Sequence, residues 1–280
     1  METLYHSILG LPRSGKTTFL AAFWHLIDAG EVETKLTLDR LVGDNRYLNE
    51  IVEAWRRCEE VPRTPVAAET QVAIHVHEPA TARKAVLEFP DLSGESFEEQ
   101  FAGRSCTPGY LNGLSRNGGI LLFINADRAQ DGITHLDLAP VILGDSNPEN
   151  PEDEREWSPS LVPEQVRLVD LLQFIQRAPF EIRRRRLAIG VSAWDVVSDP
   201  ELTPSDWLAR ELPFLNQFLK ANRESFDVRV YGISAQGGAV TGDSRERLAR
   251  ETPSRRIRCM GPDADLHDLT APVVWLSGGD

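Results

Sequence analysis

Ten residues into the chain lies the segment Gly10-Leu11-Pro12-Arg13-Ser14-Gly15-Lys16-Thr17, which matches the phosphate-binding loop pattern G-x-x-x-x-G-K-[ST] without a mismatch. The apolar run 4–9 before it is typical of a strand, and residues 18–27 after it predict a buried helix that ends at Gly30. This context matters because backbone N–H groups of such a loop and of the first helical turn together bind anions. The segment therefore predicts phosphate binding.

The residue types in this loop also predict individual contacts with a nucleotide. Lys16 is expected to reach the β- and γ-phosphates, and the Thr17 hydroxyl is expected to ligate Mg²⁺. The remaining predicted contacts come from the rest of the loop and the residue after it: Gly10, Arg13, Ser14, Gly15 and Thr18.

Composition narrows the class of protein. The chain has 280 residues, 41% hydrophobic and 26% charged, which is ordinary for a soluble globular protein. Apolar runs are shorter than the ~20 residues that a membrane span needs, and the early first strand leaves no room for a signal peptide. Cys58, Cys106 and Cys259 form no metal or disulfide pattern, which predicts a reducing cytoplasm. A net charge of −13 argues against general nucleic-acid binding.

Strands alternate with helices along most of the chain, which indicates an α/β fold. We predict a three-layer P-loop NTPase fold with a mostly parallel sheet and one antiparallel edge hairpin, made of residues 71–77 and 85–89. Further strands are expected at 119–124, 187–191 and 228–233, and helices at 44–60, 163–176, 204–222 (with Thr203 as N-cap) and within 266–276.

Two segments are predicted to lie outside this regular pattern. Residues 144–162 are acidic, rich in proline and poor in apolar side chains, which predicts an exposed, mobile insertion in a single domain spanning 1–280. Residues 237–265 are rich in glycine and arginine and predict a flexible basic loop, with an arginine finger as the alternative. The run Arg183–Arg186 predicts a solvated strand edge or, alternatively, docking to the acidic insertion or an acidic partner.

A second acidic element follows the hairpin. Asp91 and Gly94 form D-x-x-G directly after the strand at 85–89. An aspartate there can hold Mg²⁺ through water, and the glycine N–H can reach a γ-phosphate. Asp127, after the strand at 119–124, is the competing Mg²⁺ candidate; it lacks the following glycine, so Asp91 is preferred and Asp127 is read as a strand-end or capping carboxylate.

With these elements the chain resembles the Ras-like (TRAFAC) class of P-loop GTPases. That resemblance implies two base-recognition segments at later strand ends, which Ser192-Ala193-Trp194-Asp195 and Ser234-Ala235-Gln236 would supply. Asp195 could accept hydrogen bonds from guanine N1–H and N2–H₂, and the Ala235 N–H could donate to O6. Ala193 replaces the lysine that packs against the base in this class, and Trp194 either stacks in its place or belongs to the core.

The same resemblance implies the residues of hydrolysis. Thr64 is the preferred switch-I threonine and a further Mg²⁺ ligand, with Thr70 or a plain turn threonine as alternatives. Glu95 stands where the class has a water-positioning glutamine. A carboxylate can orient water, but its charge repels the γ-phosphate, so GTP hydrolysis to GDP is expected to be slow or dependent on a partner, with Lys16, Glu95 and Thr64 as the catalytic set.

Within the class, the layout is most similar to the bacterial double-GTPase proteins, type 2. The similarity rests on the early phosphate loop, the helix before Arg63-Thr64-Pro65, the Ser192–Asp195 segment and the closing apolar helix. It implies GTP or GDP with Mg²⁺ as ligands, a second GTPase or an effector as partner, and a role in bacterial conflict or defence. Alternatives are an ATP-using enzyme of the small-molecule kinase type and a nucleotide-gated scaffold with little turnover.

Overall fold

The computed structural model describes residues 3–43, 45–62, 72–90, 95–127 and 158–278. Its centre is an eight-stranded sheet with the strand order β2-β3-β4-β1-β5-β6-β7-β8. The strands are β1 (Leu4–Gly10), β2 (Thr37–Gly43), β3 (Val72–Glu78), β4 (Arg83–Phe89), β5 (Ile120–Asn125), β6 (Arg185–Ser192), β7 (Phe226–Ser234) and β8 (Arg258–Met260).

The middle of this sheet is parallel and its two sides are antiparallel. Strands β4, β1, β5, β6 and β7 run in parallel as neighbours, whereas β2 with β3, β3 with β4, and β7 with β8 are antiparallel. This confirms the predicted mostly parallel α/β sheet and the β3–β4 hairpin. The antiparallel part is larger than one hairpin, because β2 pairs with the outer side of β3 and β8 adds a strand at the opposite edge.

Helices cover both faces of the sheet. They are α1 (Lys16–Ala29), α2 (Asn45–Arg56), α3 (Glu95–Gly103), α4 (Pro108–Ser115), α5 (Glu164–Phe174), α6 (Pro204–Glu211), α7 (Pro213–Ala221), α8 (Gly242–Ala249), α9 (Pro253–Arg256) and α10 (Ala271–Leu276). Side chains of α1, α2 and α10 form one core with alternate strand residues such as Phe123, and those of α3 to α7 form a second core with Leu122 and its equivalents. The period-two alternation of each strand therefore creates the predicted three layers.

Proline divides one predicted helix into two. Residues 204–222 form α6 and α7, which meet at Leu212 because Pro213 has no N–H to continue the hydrogen-bond pattern of α6. The predicted N-cap is confirmed: the Thr203 side chain accepts a hydrogen bond of 3.1 Å from the Asp206 N–H.

The arginine-rich segments are ordered parts of the fold, contrary to the prediction. Residues 237–265 contain α8, α9 and β8, and Arg256 there is 1% exposed. In the run before β6, Arg185 is buried and donates at 3.0 Å to the Leu114 carbonyl, and Arg186 donates to the Trp275 carbonyl. These guanidinium groups can be removed from solvent because backbone carbonyls of other elements accept their hydrogen bonds. Such acceptors cannot be predicted from the neighbouring sequence.

Only the end of the predicted acidic insertion is described. Residues 144–157 lie outside the described residues. Residues 158, 159, 161 and 162 are half-buried, and a 3-10 helix there, Pro159–Leu161, packs on α3. This end of the segment is therefore not the exposed chain that its composition predicts. Across the described ranges, every helix is too short or too polar to cross a membrane.

Candidate nucleotide-binding site

The loop between β1 and α1 wraps around the side chain of its own lysine. Lys16 is 3% exposed, and its Nζ donates hydrogen bonds of 2.5 Å to the Gly10 carbonyl and 3.1 Å to the Leu11 carbonyl. Arg13 and Gly15 adopt positive φ angles of 63° and 91°, which turn the chain into the first residue of α1. The loop is thus closed around a buried ammonium group at the N-terminus of a helix, where unpaired N–H groups favour anions.

Two glycines of the loop are required by space. A Cβ at Gly10 would lie 2.8 Å from the Phe123 carbonyl oxygen, and a Cβ at Gly15 would lie 2.7 Å from the Ser192 Cβ. Both distances are shorter than real side chains allow, so the loop touches β5 and β6 directly because it lacks these side chains.

Two hydroxyl groups beside the loop are buried without a partner. Within the described residues, Ser14 Oγ and Ser192 Oγ form no hydrogen bond although both are removed from solvent. A buried hydroxyl left unpaired costs about 1–3 kcal/mol, so such groups at a loop of this kind fit a polar ligand. Together with the buried Lys16 ammonium group, they make the loop suitable for phosphate oxygens.

Asn125, at the end of β5, fastens the loop from the side. Its Nδ2 donates at 3.1 Å to the Arg13 carbonyl, and its Oδ1 accepts at 2.9 Å from the Asp127 N–H. The sequence interpretation considered Asp127, which is exposed, and missed Asn125. A polar residue at the carboxyl end of a parallel strand beside the loop was the available indication.

The two predicted base-recognition segments come together at the ends of β6 and β7. Asp195 lies in a 3-10 helix, Trp194–Val196, that begins after Ala193, whose φ angle is 51°. The Ser234 hydroxyl donates to Asp195 Oδ1 and accepts at 3.1 Å from the Gly237 N–H. Residues 39 positions apart are thereby joined by one hydroxyl group.

A cleft of about 460 Å³ lies between the phosphate loop and these segments. Arg13, Gly15 and Thr18 border it on one side, and Asp195 and Ala235 on the other. The remaining walls are apolar, acidic or neutral polar side chains. They include residues that the sequence interpretation missed: Phe19, Glu59, Glu60, Val61, Phe123, Asn125, Val196, Ile233 and Val240. Val196 is 53% exposed, and an exposed valine beside a cleft is suited to pack against a flat ligand.

Trp194 belongs to the core, which decides between the two roles considered for it. Its indole is 9% exposed, lies against Gly232 and makes an edge contact with Trp207 at 6.3 Å between ring centroids. The side chain therefore points under the sheet end and not into the cleft, which leaves stacking on a base to other residues.

Several predicted site residues lie outside the described residues or are only partly described. Thr64, Thr70, Asp91 and Gly94 fall outside them, and Glu95 is the first residue of α3. Among the described residues, no cluster of three His, Cys, Asp or Glu side chains could hold a metal ion.

A phosphate loop at the carboxyl edge of a parallel sheet, beside a cleft bordered by a strand-end carboxylate, defines a nucleotide-binding α/β protein. The family model Double-GTPase 1 matches residues 7–276, and the chain belongs to this GTPase-like family. The resemblance to double-GTPases is confirmed, whereas the assignment to type 2 is wrong, because the matching model is that of type 1. No curated protein matches the chain significantly.

Solved structures of GTPases are similar at low sequence identity. They include a bacterial selenocysteine-specific elongation factor (13% identity, TM-score 0.38, 89% of this chain and 28% of that one). Era of Aquifex aeolicus bound to GDP·AlF4⁻ has 15% identity and a TM-score of 0.38, over 96% of this chain and 60% of that one. The small GTPase Arl6 of Trypanosoma brucei with GppNp has 14% identity and a TM-score of 0.35, over 91% and 99%. The chain thus spans under a third of the elongation factor.

Proposed function

We propose that this chain is a guanine-nucleotide-binding switch protein with slow or partner-dependent GTP hydrolysis. The observation that carries the proposal is the Asp195 carboxylate, held by the Ser234 hydroxyl at the border of the cleft beside Ala235. Membership of the Double-GTPase 1 family supports guanine nucleotide as the ligand and a second GTPase as the partner. A role in bacterial conflict or defence follows from the resemblance to double-GTPases described above.

The chemistry of the base explains why an aspartate matters at this position. A carboxylate accepts hydrogen bonds only, and Ser234 occupies part of the capacity of Oδ1, which leaves acceptor sites for guanine N1–H and N2–H₂. Adenine has an unprotonated N1 and no 2-amino group, so it would leave the carboxylate unpaired and the Ala235 N–H opposite an amino group. Sites built in this way reject the wrong ligand strongly.

The phosphates and Mg²⁺ would bind at the loop. Lys16 would exchange its bonds to the Gly10 and Leu11 carbonyls for bonds to phosphate oxygens, and the Ser14 hydroxyl would gain a partner. Thr17 would hold Mg²⁺ directly and Asp91 would hold it through water. When bound, Mg²⁺ supplies positive charge that neutralises the β- and γ-phosphates.

Nucleotide competition with a paired variant tests base recognition. In the wild-type protein, unlabelled GTP should displace labelled GDP and ATP should not. The preference for guanine over adenine nucleotides should be about 100-fold or more. Asp195→Asn replaces one acceptor oxygen by an NH₂ donor, so its preference should move towards xanthine nucleotides, whose 2-oxygen accepts. Asp199→Asn is the matched control, because Asp199 is exposed three residues beyond the 3-10 helix and should leave the order unchanged.

Two outcomes would contradict this proposal. Equal competition by ATP and GTP would favour the ATP-using alternative, in which the carboxylate does not contact a base. Unchanged guanine selectivity in the Asp195→Asn protein would remove the mechanism even if guanine were preferred.

GTP hydrolysis is expected to be slow because Glu95 occupies the position at which the Ras-like class has a water-positioning glutamine. A single-turnover assay of the isolated protein should give less than about 1 event per minute, and addition of the partner should raise the rate. A faster rate without any partner would contradict the assignment of slow intrinsic hydrolysis while leaving guanine binding intact.

A further inference from the structure

The C-terminal part of α2 is bonded to the loop that follows β7. Trp55 is fully buried, and its indole Nε1–H donates a hydrogen bond of 3.0 Å to the Ala235 carbonyl. In return, the Gln236 Nε2 donates at 3.3 Å to the Trp55 carbonyl. These partners are 180 and 181 positions apart, so α2 and the loop are joined only by the tertiary fold.

Arg256 also contacts Trp55. The guanidinium carbon lies 4.8 Å from the Trp55 ring centroid, and the same group donates at 3.2 Å to the Arg56 carbonyl and contacts Cys58 Sγ. Arg256 is 1% exposed, so this cation–π contact is removed from solvent and is stronger than a surface contact. Trp55 is therefore held both by the indole hydrogen bond to Ala235 and by the guanidinium group of Arg256.

The loop that follows β7 packs closely against Arg256. A Cβ at Gly237 would overlap the Arg256 backbone carbonyl, and the φ angle of Gly237 is 87°. On the other side, the Gly237 N–H donates to Ser234 Oγ, which also donates to Asp195. The backbone around Ala235 is consequently restrained from both directions: Trp55 fixes the peptide after it, and the Ser234 bonds fix the turn that contains it.

We propose that Trp55 is a positioning residue for purine selectivity, which orients the Ala235 N–H towards the 6-oxygen of the base. The inference rests on the proposed guanine-nucleotide function. Two torsions of Ala235 separate its N–H from the carbonyl that Trp55 holds, so loss of the indole donor removes one of the two restraints on the direction of the N–H. The segment that follows α2, Glu59 to Val61, lines the same cleft. The helix that is bonded to the loop after β7 therefore leads directly into a wall of the site.

Three diphosphates separate positioning from general stability. GDP and inosine diphosphate both carry a 6-oxygen, whereas 2-aminopurine riboside diphosphate carries the 2-amino group and no 6-oxygen. Trp55→Phe keeps an aromatic ring under Arg256 and removes the N–H donor. It should weaken GDP and inosine diphosphate equally, by about tenfold, and leave the 2-aminopurine nucleotide within twofold of wild type, because only the bond to the 6-oxygen is lost.

Trp275→Phe is the matched control, because Trp275 is 4% exposed and lies in α10 between Arg186 and Arg229. It should change none of the three affinities. If Trp55→Phe does not fold, Gln236→Ala removes the reciprocal bond from a half-exposed side chain and should weaken the two 6-oxo nucleotides by about threefold in the same pattern.

Equal loss for all three nucleotides, or no loss for any, would overturn the positioning role. These results are distinguishable from failure of the proposed function. If the wild-type protein itself binds ADP as well as GDP, the guanine site is wrong; if the wild type selects GDP and the variants keep the full preference, only the role of Trp55 is wrong.

Discussion

At the scale of single residues, the phosphate loop depends both on a glycine that has no side chain and on side chains that form hydrogen bonds with the loop. Gly15 combines a positive φ angle with a Cβ position blocked by Ser192, so the loop and β6 meet at van der Waals distance. Asn125 and Lys16 then tie the loop carbonyls of Arg13, Gly10 and Leu11. The backbone conformation of the loop and its close approach to β6 therefore shape the phosphate-binding site, and the Asn125 and Lys16 side chains hold the loop in place.

Gly15→Ala should therefore abolish nucleotide binding and also destabilise the protein. A left-handed alanine costs about 1–2 kcal/mol, and the overlap with Ser192 adds to this. Gly30→Ala is the control: Gly30 ends α1 with a φ angle of 62°, and a Cβ there meets nothing within 4 Å. It should show only the left-handed penalty, with normal GDP binding. Urea unfolding and GDP titration measure the two effects, and similar binding by both variants would contradict the requirement at Gly15.

At the scale of elements, the turn that carries Asp195 is positioned by packing beneath it. Trp194 lies flat against β7 because Gly232 has no side chain, and Trp207 of α6 supports the indole edge. The position of the carboxylate in the cleft is thus decided by how β6, β7 and α6 pack.

Gly232→Ala should displace this turn. The new Cβ would lie 2.7 Å from the Trp194 Cγ, so we expect a loss of about 1–3 kcal/mol of unfolding free energy and at least about a tenfold loss of GDP affinity. Gly113→Ala in α4 is the control, because the nearest atom is 3.9 Å from its Cβ position and alanine favours helices. GDP affinity equal to wild type in a destabilised Gly232→Ala protein would show that the turn does not depend on this packing.

At the scale of the whole molecule, a buried histidine joins the first strand to the last helix. His6 Nδ1 accepts at 3.0 Å from the Gly119 N–H, and Nε2 lies 2.9 Å from Ser277 Oγ, which donates at 2.8 Å to the Val273 carbonyl. This network requires the neutral ring, with its proton on Nε2. Burial lowers the pKa of His6 from 6.5 to about 4.

Acid should therefore weaken the fold in a specific pH range. Below about pH 6.5 the unfolded chain takes up a proton at His6 and the folded chain does not, so stability falls as the pH decreases towards about 4. The total is roughly 3 kcal/mol, from about 1.4 kcal/mol per pH unit. Urea midpoints should decrease over this range in the wild type and less in His6→Gln, whereas His267→Gln should follow the wild type. Identical slopes in all three proteins would contradict the assignment to His6.

Local patterns were sufficient for much of the fold. The glycine–lysine loop, the buried strands and the Thr203 cap each depend on neighbours within a few residues, and the structure has them. Patterns were insufficient where partners are far apart: β2 and β8 are short or polar strands that exist because β3 and β7 offer a free edge. Arg185 and Arg256 are buried because carbonyl groups far away in the sequence accept hydrogen bonds from them. Composition alone predicts that these arginines are exposed to solvent.

The phosphate loop, the order of strands and helices, and the strand-end positions of Asp195 and Ser234 could be read from the chain, because each follows from residue type and short spacing. Only the folded molecule decided that Ser234 bonds to Asp195, that Trp194 is core, and that Trp55 and Asn125 hold the two sides of the cleft. Those contacts join residues 39, 112 and 180 positions apart, and contacts over such separations depend on how parallel strands and their covering helices align.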